Sequence, residues 1–273
     1  MPRVLALMAH PDDIEITCAG TLILLKAAGW DVHLATMTAG DLGSSTLSAA
    51  AISRIRRKEA ASSAALLGAG YTCLGISDLT IAHTERHKRM VTGLLRAVRP
   101  DVLITHPPVD YMADHEQTSY LARDAAFGST IPNWKTLPPT GVRSRKALPP
   151  CAALPALLFA DPIDLATPDG SRARAHYVVD ISAVLEQKAT MLAAHASQRA
   201  WLHEQHGEDE YLHWMRRVGA ERAKDFGKRS VTHAEGFVPY LGHAFPRHDV
   251  LTAALGKGRV KTMGRVSAAR QRH

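Results

Sequence analysis

Cysteine is scarce and scattered. The chain has three, Cys18, Cys73 and Cys151, with no paired spacing among them. That excludes a disulfide framework and a cysteine-rich zinc cluster. Cys18 and Cys73 lie in apolar stretches and read as small core residues. Long apolar runs are also missing. Nothing approaches the roughly 20 residues that a membrane-spanning helix needs. The first apolar run, residues 3–8, is too short for a signal core and leads straight into a polar motif, so a cytoplasmic enzyme is the expectation. No Gly-x-Gly-x-x-Gly follows that run, and a dinucleotide site is not expected. Internal repeats are absent.

Acidic residues are outnumbered, 26 against 33 Lys and Arg, giving a formal charge of +7. Such an excess can favour nucleic acid. Here no recognised binding module or stacking platform accompanies it, and nucleic acid is not expected as a partner. Much of the charge (Lys257, Arg259, Lys261, Arg265, Arg270, Arg272) falls in residues 251–273, which read as a solvated basic tail. The remaining residues suffice for one α/β domain with its own core, 1–250, built as a core over 1–130 and an elaboration over 131–250.

Short apolar runs alternate with helix-like segments. Residues 3–8, 31–37, 71–74 and 101–105 read as strands, and 17–28, 48–67, 84–98 and 116–127 as helices. Further strands are expected at 157–160 and 175–180, helices at 182–194, 197–206 and 209–224, and an extended element at 230–240. This alternation predicts a Rossmann-like, doubly wound, mostly parallel sheet with helices on both faces. The segment 131–155, broken by prolines and basic residues, is expected to be a binding loop or lid.

The chemistry gathers where strands end. Ala9-His10-Pro11-Asp12-Asp13 closes the first strand, and Asp110-Tyr111-Met112-Ala113-Asp114-His115 follows the fourth. In open α/β sheets ligands bind outside the carboxyl ends of the strands. An Asp before a helix is commonly only a cap. Two His/Asp clusters on one sheet edge argue for more, since three such ligands and an open position make a catalytic zinc site. Neighbouring Asp12 and Asp13 point in different directions, so one can hold a metal while the other handles a proton.

These residues resemble the LmbE-like zinc-dependent de-N-acetylases, the group that includes the GlcNAc-phosphatidylinositol de-N-acetylases. Further matches are Gly20-Thr21, Thr38-Ala39-Gly40-Asp41, Arg57-Lys58-Glu59, Lys188 with His195-Ala196-Ser197-Gln198, and Ala234-Glu235-Gly236-Phe237. The resemblance implies one Zn2+ held by His10, Asp13 and His115, with Asp12 as the base that takes a proton from water. It implies hydrolysis of the acetamide of an N-acetylglucosamine-type glycoconjugate to free amine and acetate. A homo-oligomer is expected on the resemblance alone.

Better-known members carry His-Pro-Asp-His at the second motif, and this chain has Met112 at the first of those positions. Asp12 is then expected to pass its proton on to the amine, and Asp114 to orient His115. Tyr111 and His106 are candidates to stabilise the oxyanion. Arg57, Asp41 and His195 are candidates for binding substrate; His195 reads equally as a structural helix end. Glu235 is expected to fix a loop and Phe237 to fill core. Two alternatives stay open: a zinc amidase for another acyl amide, such as a thiol conjugate or acylated antibiotic, and a metal-binding protein without catalysis.

Overall fold

The computed structural model describes residues 1–138, 148–200 and 210–264. The first strand, β1 (Arg3–Met8), is buried along almost its whole length. Val4, Ala6 and Met8 face one hydrophobic core, and Leu5, Leu7 and Ala9 face a second. A strand apolar on both faces must lie inside a sheet covered on both sides, and β1 does.

The sheet has eight strands in the order β3-β2-β1-β4-β5-β7-β6-β8. Its strands β2 (Asp31–Thr38), β3 (Gly70–Ile76), β4 (Val102–Thr105) and β5 (Ala156–Ala160) run parallel with β1. Then β7 (Ala234–Pro239) pairs antiparallel with β5, β6 (Tyr177–Asp180) with β7, and β8 (Val260–Thr262) with β6. The expected doubly wound architecture holds. Its far edge is antiparallel.

Between the strands lie α1 (Asp13–Thr17), α2 (Ala19–Ala27), α3 (Ala49–Leu66), α4 (Glu85–Val98) and α5 (Ala113–Ser129), then α6 (Leu185–Ala193), α7 (Glu210–Phe226) and α8 (Val250–Leu255). Caps explain several boundaries. Ser48 accepts from the Ala51 N–H ahead of α3, and Thr84 from the His87 N–H ahead of α4. The first helix begins earlier than expected, at Asp13, and breaks at Cys18.

Residues 251–264 are not the start of a tail. They complete α8 and form β8, with Leu251 and Val260 buried. The apolar positions are spaced among basic residues, which hides the pattern. One of those bases has work inside the fold: Lys261 Nζ donates to the Asp225 and Phe226 carbonyls, at 2.8 and 3.1 Å, at the end of α7. Most of the expected helix 197–206, the middle of the segment 131–155 and the last nine residues lie outside the described residues. Among those described, no helix is long and apolar enough to cross a membrane.

The chain leaves β1 for β2 on one side and returns to β4 on the other. That reversal is the switch point where α/β sheets open a crevice. The two His/Asp clusters stand there.

Candidate metal centre

The turn out of β1 is tight. Asp12 adopts φ 98°, a left-handed conformation that Asp tolerates better than most residues. Asp13 then opens α1, and its Oδ2 accepts the His10 N–H at 2.7 Å. The carbonyl of Ala9 accepts both the N–H and the hydroxyl of Thr38. Thus β2 fixes the strand end from the side.

Ligand atoms of His10, Asp13 and His115 lie within 4.8 Å of one another, and all three residues are buried. Each imidazole is turned by a further carboxylate. His10 Nε2 is 3.1 Å from Asp114 Oδ2, which also accepts the Leu79 N–H at 2.7 Å. This leaves His10 Nδ1 beside Asp13 Oδ2, at 3.4 Å. His115 Nδ1 is 3.1 Å from Asp110 Oδ1, leaving Nε2 at 3.6 Å from Asp13 Oδ1. Carboxylate-oriented histidines of this kind are the usual surroundings of a bound divalent metal. Electrostatics agree. Burial opposes charge on His10, yet Asp114 and Asp13 raise its pKa to about 10. Burial also opposes charge on Asp13, and His115, His106 and His10 hold its carboxyl well below the usual range. The cluster is built around positive charge, and its donors fit a divalent metal ion.

Asp114 therefore orients His10, not His115. Asp110 does the latter. It stands five residues before His115 in the same cluster, so the signal is present in the sequence, but spacing alone does not say which acid meets which imidazole.

His106 is 1% exposed and stacked on His115 at 3.8 Å between ring centres, and with Asp110 and His115 it forms a second group of possible metal donors. Its Nε2 lies 3.0 Å from the Ala9 backbone nitrogen and 3.2 Å from Asp13 Oδ2. Burial, then the neighbouring His115, lowers its pKa to about 4, in keeping with a neutral ring. Buried under His115 and turned to Ala9 and Asp13, His106 braces the β1–β4 junction. Tyr111 is placed differently. It is 68% exposed, its ring edge-on to His115 at 5.3 Å between centres, at the open side of the cluster. Met112 precedes α5 and makes no side-chain cap.

Asp12 faces another group of residues. Arg56 Nη2 lies 3.1 Å from its Oδ2. Burial raises the Asp12 pKa, and Arg56 opposes that rise. Tyr211 of α7 is buried against the same carboxylate; burial and the Asp12 charge push its phenol well above the usual range. The arginine at this site is thus Arg56, not Arg57. One residue on a helix turns a side chain by about 100°. The buried stripe of α3 runs through Ile52, Arg56, Ala60 and Ala64, whereas Ile55 is exposed. The stripe is legible in the sequence, and it points to Arg56.

His195 is fully buried, its Nε2 3.3 Å from Glu15 Oε2, and it lies within electrostatic reach of Asp12. Beyond it, the Ser197 N–H and hydroxyl donate to Glu59, tying the following segment to α3. Asp41 accepts the Asp78 N–H at 2.7 Å and joins two loops of the sheet edge. These contacts give His195 and Asp41 structural partners.

The remaining sequence matches meet in one buried knot. Glu235 accepts the Gly20 and Thr21 N–H groups and the Thr21 hydroxyl, and Lys188 Nζ donates to Glu235 at 2.7 Å and to the Ile16 carbonyl at 2.8 Å. A carboxylate at the start of α2 is well placed for the helix dipole. Gly20 is required: a Cβ there would stand 2.9 Å from Glu235 Oε1 and 2.8 Å from Ile181. The knot fixes α1 and α2 from beneath. Phe237 is fully buried, as expected.

Fold and site together define an α/β protein with a His–Asp–His cluster at its switch point. Residues 5–126 match the family described as PIG-L: GlcNAc-PI de-N-acetylase, in keeping with the LmbE-like resemblance of the sequence. Over 249 residues it is 27% identical to a diacetylchitobiose deacetylase of Thermococcus kodakarensis, covering 87% of this chain and 83% of that one. An N,N'-diacetylchitobiose deacetylase of Pyrococcus horikoshii superposes with a TM-score of 0.71 at 26% identity, covering 89% and 86% of the two chains. The 4-carboxy-2-hydroxymuconate hydratase of Pseudomonas putida also gives 0.71, at 20% identity, covering 91% of this chain and all of that one. The fold is therefore shared by deacetylases and a hydratase, and function has to be argued from the site.

Proposed function

We propose that this chain is a zinc-dependent N-deacetylase acting on an N-acetylglucosamine-type amide. One observation carries the reading. Two imidazoles, each turned by its own carboxylate, present their other nitrogens to Asp13, while Asp12 stands adjacent and bonded to a different group. A site for metal storage needs the first arrangement only. Hydrolysis needs both.

In this reading His10, Asp13 and His115 hold the metal. Bound zinc lowers the pKa of water towards 7 and polarises a carbonyl as a Lewis acid. Asp12 takes a proton from the attacking water and delivers it to the departing amine, which ends as free amine beside acetate. Burial suits it to that exchange by favouring its protonated form. With methionine at position 112, this two-way transfer replaces a separate acid. Tyr111, at the open side, is positioned to donate to the oxygen of the tetrahedral intermediate. Asp110 and Asp114 keep the two imidazoles in the required tautomers.

The test is acetate and amine release from N-acetylglucosamine, its aryl glycosides and N,N'-diacetylchitobiose by zinc-loaded protein. Asp12→Asn is expected to keep the metal and lose turnover. Near-normal turnover in that variant would remove Asp12 as the base. Hydrolysis confined to other acyl amides would keep the chemistry and change the substrate.

A further inference from the structure

Arg56 is a cation buried beside the proposed base, its side chain 6% exposed. It grips the turn from two sides. Nη2 donates to the Pro11 carbonyl at 2.9 Å and to Asp12 Oδ2 at 3.1 Å, while Nη1 reaches the Gly40 carbonyl at 3.4 Å. The first two contacts hold the carbonyl just before Asp12 and the Asp12 carboxylate itself, at a residue with φ 98°. A left-handed Asp is a costly conformation that persists where its surroundings over-determine it.

The β2–α3 loop is shaped around the same guanidinium. A Cβ at Gly40 or at Gly43 would stand 2.3 Å from Arg56 Nη1. Both glycines leave the space that the guanidinium fills. Both terminal nitrogens have protein acceptors, and the buried Nε has none.

We propose that Arg56 is a positioning residue for Asp12: with the Gly40–Gly43 loop closed around it, it locks the base's turn and carboxylate in the orientation needed for proton transfer. The proposal rests on Asp12 serving as the base. Its signature is a loss in kcat at unchanged KM and unchanged zinc content, because neither substrate nor metal is held by Arg56. A misplacement of about 1 Å in a reacting group costs roughly 100-fold, and a fall of that order is expected in Arg56→Ala.

Three variants test it: Arg56→Ala, Arg56→Lys and Gly43→Ala. The last leaves the arginine in place but pushes its flexible end aside, so it folds and still shows the defect. Lysine can reach one acceptor but not brace both, and is expected to retain an intermediate rate. Added guanidinium chloride is expected to restore part of the kcat of Arg56→Ala. A raised KM with kcat preserved, a loss of zinc, or wild-type kcat in Gly43→Ala would overturn the proposal. So would a folded Arg56→Ala that guanidinium does not rescue. Should the wild type release no amine from any amide, the deacetylase reading fails first. The crystal structure of Gly43→Ala then decides the positioning claim separately. Asp12 displaced from its left-handed turn supports it, and Asp12 unmoved refutes it.

Discussion

Removing the Asp110 carboxylate probes the metal centre without touching a proposed ligand. In Asp110→Ala, His115 loses the acceptor of its Nδ1–H, a contact of 3.1 Å between side chains that are almost wholly buried. Two costs follow. The buried N–H is left without its partner, worth about 1–3 kcal/mol. The ring is also released from the tautomer that leaves Nε2 free beside Asp13. Loss of such an orienting carboxylate elsewhere weakens metal affinity by about 10–100-fold, or about 1.4–2.7 kcal/mol, and the two ranges overlap. The stack on His106 keeps the ring in place, which argues for a weakened site and not a collapsed one. The assay is zinc titration against a competing chromophoric chelator, with circular dichroism as a check on folding. Asp110→Asn retains an acceptor oxygen and is expected to lose less. Wild-type affinity in folded Asp110→Ala would refute the idea that the His115 tautomer is set by Asp110.

Asp12→Asn is expected to bind zinc as the wild type does and to lose about 100-fold or more in kcat, the usual scale of general acid–base catalysis; kinetics with matched elemental analysis check both halves. Lys188→Met leaves Glu235 buried without its cation, and a destabilisation of about 3–5 kcal/mol is expected in urea unfolding. His33 provides a pH dependence away from the metal. Burial lowers its pKa below the ordinary 6.5, against a smaller opposing effect of Asp31, so the unfolded chain binds the proton more readily. Stability is then lost as pH falls below about 6.5. Urea midpoints in His33→Phe are expected to fall less steeply with acid than those of the wild type, and parallel curves would count against this assignment.

Much of the site is legible in the sequence because its residues lie at strand ends, and strand ends in an alternating α/β chain share one edge. That regularity is enough to bring the two His/Asp clusters together; the choice of His10, Asp13 and His115 among their members is what the family resemblance implies. Pairings across elements are not legible. Asp114 and Asp110 each stand within reach of either imidazole by sequence, and only the path of the loops assigns one to His10 and the other to His115. Arg56 and Arg57 differ by a helical rotation that the apolar stripe of α3 resolves. His106 has the position of a site residue because it also ends a strand; its ring turns inward to the Ala9 N–H. The C-terminal elements are hidden by charge. Lysines and arginines dominate that stretch, while a few apolar side chains carry its packing.

The most direct test of the central claim is a paired measurement on one preparation: zinc per chain, and acetate released from N,N'-diacetylchitobiose or an N-acetylglucosaminide before and after chelation. The expected result is about one zinc per chain, as a single three-ligand site implies, with release abolished by chelator and restored by zinc. Both are expected to be lost in His115→Ala. Acetate release that persists in metal-free protein, or in folded His115→Ala, would contradict it.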